Sequence, residues 1–326
     1  MRYQEELRHN FFSAIQYAVA DKDGLVGEKA EGLTAFDNGA PVTEWTMFDL
    51  ASLTKALFTA PAFYLLFDKS LLRPEDTLDR FLRGQRPVPI QRLLNHTSGY
   101  PAYIEFFHDD RSESYEQRRA SVLERIAALR GIEPPVYSDL NFILLGFVLE
   151  KIFGARLETV WSRLLDELKF PQGPMLFATR PLLKQHVAAT MFSPFRRRLC
   201  HGEVEDENCR YLDSAAGHAG LFGTAGTVAV YLMKLLEQPW FRFHLGNLGG
   251  AGFDKPQGSD SQYGRNAHAR MVGHLGFTGT AFLLDPEKVK AAVILTNRTH
   301  PDPNKENWRD RIKAVRQELF DTLLPV

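Results

Sequence analysis

From Asp139 to Phe153 the chain reads DLNFILLGFVLEKIF. Wound as a helix, that stretch is apolar around nearly its whole circumference, and a helix without a polar face has to be enclosed on every side. The 326 residues supply the necessary neighbours, since at roughly 150 residues per domain they predict about two structural parts. The pattern from Glu75 to about Glu237 is helical segments split by polar and Pro/Gly loops. Strand signals lie at the two ends instead. Ser13–Ala20 alternates apolar and polar residues, turns at Asp21-Lys22-Asp23-Gly24, and continues into Leu25–Gly32 as a partner strand. Gly276–Leu284 and Val289–Thr296 read as a hairpin across Asp285-Pro286-Glu287-Lys288, and Trp308–Leu324 as a closing amphipathic helix. The expected architecture is therefore α/β plus all-α. Residues 1–75 and 238–326 would form one discontinuous α/β lobe and residues 76–237 an inserted, mostly helical lobe.

Composition excludes several functions. Thirty-nine basic against forty acidic residues leave a formal charge of −1, without the basic excess that nucleic acid or an anionic membrane surface requires. Two cysteines cannot build a disulfide scaffold or a four-thiolate zinc site. The longest apolar run, Ala56–Phe67, stops at Asp68, short of the roughly 18 residues that span a bilayer. Met1-Arg-Tyr-Gln-Glu-Glu lacks the basic start and apolar core of a secretory leader, which predicts a cytoplasmic protein, or a periplasmic one if the sequence was trimmed. No phosphate loop, His-Glu-x-x-His, Gly-x-Ser-x-Gly or Cys-x-x-Cys is present, and the ten histidines lack metal-ligand spacing. Neither a cofactor nor a metal is expected.

One motif remains. Ser52-Leu53-Thr54-Lys55 opens a helix predicted to run to about Asp68, with a kink at Pro61. A spacing of three puts the ammonium beside the hydroxyl, and the helix N-terminus favours negative charge on a reacting oxygen. Alone, the motif reads equally well as an N-cap serine followed by a solvated lysine. Further along come Tyr137-Ser138-Asp139, just before the apolar helix, and His274-Leu275-Gly276, at the late strand.

With those three in order the sequence resembles the serine beta-lactamase and penicillin-binding-protein family, in its class C-like branch. Phe48–Lys55 (FDLASLTK), Leu93–Gly99 (LLNHTSG), Tyr137–Gly146 (YSDLNFILLG), Gly217–Phe222 (GHAGLF), Gly273–Thr280 (GHLGFTGT) and Leu295–Arg298 (LTNR) carry the likeness. The resemblance implies an antiparallel sheet flanked by helices with an inserted helical lobe. It implies Ser52 as nucleophile, Lys55 as the group that polarises it, and Tyr137 as general base and later proton donor. The backbone N–H groups of Ser52 and Phe277 would hold the oxyanion. Asp139, His274, Gly276, Thr278 and His218 would contact substrate, while His96 would shape its loop by bonding backbone.

Two departures bear on substrate. Asp139 stands where the branch has Asn, and an ionised carboxylate accepts hydrogen bonds but cannot donate one to an acylamide carbonyl. A carboxylate beside Lys55 would also favour its ammonium form. That Asp139 simply caps the helix stays open. His274 replaces a lysine, so it attracts a substrate carboxylate only weakly unless protonated. Both changes point away from a dedicated beta-lactamase. The acids of Glu203–Glu207, where Glu205 replaces a common His, are expected on the cleft rim, with Cys200 and Cys209 paired only in an oxidising compartment. The leading expectation is a serine hydrolase acting on an amide or ester of a peptidoglycan-derived peptide. A carboxylesterase on small esters, a weak beta-lactamase and a non-catalytic peptidoglycan sensor are the alternatives. The partner expected is a small-molecule or peptide substrate.

Overall fold

In the computed structural model, which describes residues 1–108, 114–129, 133–256, 258 and 261–325, the two ends of the chain meet in one sheet. Its five strands are β1 (Ala14–Asp21), β2 (Gly24–Gly32), β3 (Val272–Leu275), β4 (Ala281–Asp285) and β5 (Lys290–Thr296), in spatial order β2-β1-β5-β4-β3 and antiparallel throughout. β1 and β5 pair along their length, Ile15 opposite Thr296 and Asp21 opposite Lys290. The period of two sorts their side chains. Ala291, Val293 and Leu295 join the main core with Ala18 and Phe282, while Ala292 and Ile294 turn to a second core with Ile15 and Leu283.

Each face has its own cover. Helix α3 (Ala225–Glu237) lies across β1, β2 and β5 on the main-core side. Helix α4 (Trp308–Leu323) closes the other with Ile312, Val315 and Leu319, and the helix Arg2–Arg8 rests on α4. β2 is one of the two edges, largely exposed and carrying Glu28, Lys29 and Glu31, charges that oppose pairing with another strand.

Helix α2 (Asp139–Phe153) is buried from Leu140 to Glu150, enclosed by Ile90–Leu94, Leu157–Glu167 and the helix that follows Ser52. It ends at Gly154, whose φ of +57° is the left-handed cap that glycine adopts without a Cβ penalty.

The sequence-based boundaries need three corrections. Ala225–Glu237, expected in the helical lobe, packs on the sheet because its apolar face meets the main-core side of β1 and β5. The strand expected over Gly276–Leu284 starts only at Ala281; Gly276–Thr280 is a tight turn in which the Gly276 N–H donates to the Thr280 carbonyl and Gly279 takes a φ of +101°. Around Pro61 the helix contains a widened π turn, Lys55–Thr59, before helix α1 (Ala60–Asp68). Proline offers no N–H to the carbonyl four residues back, which is that of Leu57. The Tyr231 hydroxyl from α3 donates to that carbonyl at 2.6 Å instead.

Candidate active site

The segment before Ser52 is held from three directions by Asp49. Its Oδ1 accepts from the Ala51 N–H and its Oδ2 from the Glu205 N–H, both at 2.8 Å. Its carbonyl accepts from the Thr278 hydroxyl at 2.9 Å. Ala51 takes a φ of +48°, sparsely populated for a residue with a Cβ, immediately before Ser52. Asp49 therefore fixes the serine turn against the turn that carries Phe277. Gly276 is required there: a Cβ would lie 2.0 Å from the Thr280 hydroxyl oxygen and 2.9 Å from the Leu50 carbonyl.

Lys55 is fully buried, and its ammonium donates to Ser52 Oγ at 2.8 Å and to the His218 carbonyl at 3.4 Å. It forms an ion pair with Asp139 Oδ1 at 2.8 Å and sits 4.9 Å from the centroid of the Tyr137 ring. Burial alone would push the amine down, but the Asp139 carboxylate and the Tyr137 hydroxyl overcome it and hold Lys55 well above its usual range. Lys55 is an ammonium. Burial raises the Tyr137 phenol, against the lowering effect of Lys55 and of the hydrogen bonds from Lys55 and Ser52, with Asp139 adding to the rise. Tyr137 is a neutral phenol at rest.

Tyr137 is placed by His96. The two rings stack with centroids 4.4 Å apart and planes 29° apart, and His96 Nδ1 accepts from the Ser138 N–H at 3.0 Å. Burial and the charge of Lys55 depress the imidazole to about 3, so it stays neutral and keeps that acceptor. The loop that follows clamps the start of α2: Ser98 Oγ donates to Asn141 Oδ1 at 2.6 Å, and the Asp139 N–H donates to the Ala102 carbonyl at 2.9 Å.

His274 closes the other side, its ring centroid 6.1 Å from that of Tyr137. Nδ1 lies 2.9 Å from the Leu275 carbonyl, to which it can only donate, so the neutral ring carries its proton there and Nε2 is an acceptor. Burial lowers the imidazole against the opposing effect of Asp254. A neutral ring with an acceptor nitrogen attracts a carboxylate only weakly, as the sequence reading held for an unprotonated His274.

Ser52, Tyr137, Asp139, His274 and Gly276 line one cleft of about 680 Å³. Phe277 lines it too, and among the described residues neither its N–H nor that of Ser52 hydrogen-bonds within the chain. Two expected contacts are not there. Thr278 is buried and spends its hydroxyl on Asp49. His218 is buried behind Lys55, with Nε2 3.0 Å from Asp206 Oδ1. That contact with His218 and the N–H of Cys209 hold the Asp206 carboxyl below its ordinary value despite burial. Cys200 and Cys209 are both buried free thiols.

The cleft also takes in groups that the motifs did not indicate. Tyr103, Glu205, Asp206 and Glu207 form an acidic wall. Arg298, Arg309 and Arg316 bring cations from beyond the end of β5 and from α4, and Trp308 brings an aromatic ring. The acids had a signal in the Glu203–Glu207 run. The arginines had only the Leu295–Arg298 block, because α4 reads as an ordinary amphipathic helix.

Residues 8–317 match the model of the Beta-lactamase family. The chain belongs to the beta-lactamase family. This beta-lactamase-family chain is 27% identical over 346 aligned positions to a putative D-alanyl-D-alanine carboxypeptidase of Escherichia coli K12, covering 85% of this chain and 76% of that protein. It is 27% identical to an N-acetylmuramyl-L-alanine amidase of Bacillus subtilis strain 168, covering 86% and 76%. Among solved structures, EstCE1, described as a hydrolase with promiscuous acyltransferase activity, superposes with a TM-score of 0.72 at 18% identity over 97% of this chain and 96% of that one. The fold is that of the beta-lactamases and transpeptidases, and the chain is a hydrolase of that family. Among the described residues no helix is long and apolar enough to cross a membrane.

Proposed function

We propose that this chain is a serine hydrolase that forms an acyl-enzyme at Ser52 from an amide or ester bond in a peptidoglycan-derived peptide. The observation that carries the reading is the contact of Lys55 with both Ser52 and Asp139, under the Tyr137 ring, in the cleft. In the reaction the Tyr137 phenol first gives its proton to solvent, the Lys55 ammonium stabilising the tyrosinate; Ser52 Oγ then attacks the scissile carbonyl while the tyrosinate takes the serine proton. The tetrahedral oxyanion falls to the N–H groups of Ser52 and Phe277. Tyr137 then protonates the leaving group, and water, activated by the same residue, releases the acyl group. Asp139 keeps Lys55 charged, so that Lys55 serves as a fixed cation and the base is Tyr137.

The relatives support this substrate class, since a putative D-alanyl-D-alanine carboxypeptidase and an N-acetylmuramyl-L-alanine amidase each align over most of this chain. The test is mass spectrometry. A fluorophosphonate probe should add mass to the peptide containing Ser52, and a muropeptide digest should gain cleavage products with the native chain and none with Ser52→Ala. Labelling at another residue would overturn the mechanism. Ser52-dependent turnover of small esters with no change in the muropeptides would make the chain a carboxylesterase.

A further inference from the structure

Arg316, on α4, is a buried cation with no counter-charge in contact. It is 5% exposed, and among the described residues no carboxylate approaches it to ion-pair distance. Nη2 donates to the Thr280 carbonyl at 3.2 Å and to the Gly276 carbonyl at 3.5 Å, Nη1 donates to Gln262 Oε1 at 3.4 Å, and Nε has no partner. Burial lowers Arg316 to about 10, with Tyr263 and Asp254 opposing the fall and Arg298 adding to it, so the group is charged at neutral pH.

Taking a guanidinium out of water is costly unless fixed polar groups replace the water. Here two of the three replacements are peptide carbonyls, and both belong to the turn Gly276–Thr280. The Gly276 carbonyl also accepts from the Gly279 N–H at 3.0 Å, so two donors set its direction. The same turn is tied to the serine segment, since the Thr278 and Thr280 hydroxyls donate to the carbonyls of Asp49 at 2.9 Å and Leu50 at 3.2 Å.

The Gly276 carbonyl and the Phe277 N–H share one peptide plane. In a trans peptide the two bonds point in opposite directions, so a donor that holds the carbonyl also aims the N–H. Glycine at 276 does little by itself to restrict that plane. A cation on the carbonyl also draws electron density out of the peptide and makes its N–H a stronger donor. In a water-poor site the same charge favours the negative oxygen that develops nearby.

We infer that Arg316 is a positioning residue for the oxyanion hole, its guanidinium holding and polarising the Gly276–Phe277 peptide so that the Phe277 N–H faces the reacting carbonyl oxygen. The inference rests on the proposed acyl-enzyme reading and gives a part in it to α4, which supplies none of the motif residues.

The test compares two substrates that differ in one atom, a small neutral ester and its thionoester, in which sulfur replaces the carbonyl oxygen. Sulfur accepts hydrogen bonds poorly, so the ratio of the two kcat/KM values reports what the oxyanion donors contribute. The native chain should prefer the ester. In Arg316→Met that preference should shrink by at least about tenfold, the scale set by removal of one oxyanion donor, with the loss in kcat and not in KM. In Arg316→Lys, which keeps the charge without the planar fork, it should shrink by about threefold. A merely structural role would slow both substrates alike and leave the ratio where it was. An unchanged ratio in either variant, measured below its thermal midpoint, overturns the inference, and the lysine variant decides if the methionine variant does not fold. A native chain with no preference for the ester, or turnover that survives Ser52→Ala, would instead overturn the acyl-enzyme reading itself.

Discussion

The Asp139 carboxylate and the Ser52 hydroxyl each sit 2.8 Å from the Nζ of Lys55. One residue thus sets the proton inventory of the site. It stabilises the Lys55 ammonium and disfavours ionisation of Tyr137. Asp139→Asn removes both effects, so Lys55 and Tyr137 should each give up a proton at lower pH. Activity that depends on tyrosinate rises with pH below the phenol's titration, and that rising limb should move toward lower pH in the variant. On a small neutral ester kcat/KM at pH 7 should increase by roughly tenfold, the size expected for losing one adjacent charge. The amide would also provide the missing donor for an acylamide carbonyl, so acylation by a chromogenic cephalosporin should improve. A limb that stays in place would show that Asp139 does not govern Tyr137.

His96 gives a second prediction, for a positioning residue. His96→Ala removes the stack on Tyr137 and the acceptor for the Ser138 N–H. The tyrosine should wander, lowering kcat by about tenfold or more with KM little changed. His96→Asn, which can restore an acceptor without the stack, should recover part of the loss. Equal losses in both variants together with a fall in thermal midpoint would mean that His96 only supports the fold.

The proposed catalytic set is legible because its members announce themselves locally. Ser52 and Lys55 share a helical face, and Tyr137 directly precedes a stretch that can only be a buried helix. The rest depends on which way side chains point after packing. Thr278 and His218 lie within blocks that resemble the family, yet one hydroxyl turns back to Asp49 and one imidazole turns away to Asp206. Arg298 and Trp308 reach the cleft because β5 ends and α4 begins beside Phe277, a juxtaposition that no local pattern encodes. The turn at Gly276–Thr280 was hidden by its apolar neighbours, although its two glycines were a signal for it.

Tyr231 supports the helix that carries Lys55. Its hydroxyl at 2.6 Å is the partner of the Leu57 carbonyl left free by Pro61. Tyr231→Phe should destabilise the chain by about 1–3 kcal/mol, the cost of a buried acceptor without a donor. Pro61→Ala restores an N–H four residues on, so the double variant should lose less than the sum of the single losses in chemical denaturation. Strict additivity would show that the widened turn does not exist to accommodate the proline.

Asp49 and Glu205 together predict how stability changes with pH. Burial is the leading cause for both, raising Asp49 from 3.8 to about 6 and Glu205 from 4.5 to about 7, with the Asp206 charge adding to the first and the Asp49 charge to the second. An acid whose titration is raised by folding holds a proton that the unfolded chain has already lost. Between about pH 4 and pH 7 these two acids therefore bind more protons in the folded state, and their contribution to stability falls as pH rises through that window, levelling off above it. Asp206, lowered by His218, acts in the opposite sense and loses its contribution only as pH drops toward and below its titration. His96, depressed to about 3, and His300, depressed to about 4 by burial, also act in the opposite sense, because the unfolded chain keeps their protons up to about pH 6.5. The contribution of Glu205 is therefore read as the difference between the native chain and Glu205→Gln. That variant should gain stability relative to the native chain as pH rises from 5 to 8, by at most about 3.5 kcal/mol, one pKa unit being worth about 1.4 kcal/mol. A difference that does not change with pH would mean that Glu205 is ionised in the folded chain at little cost.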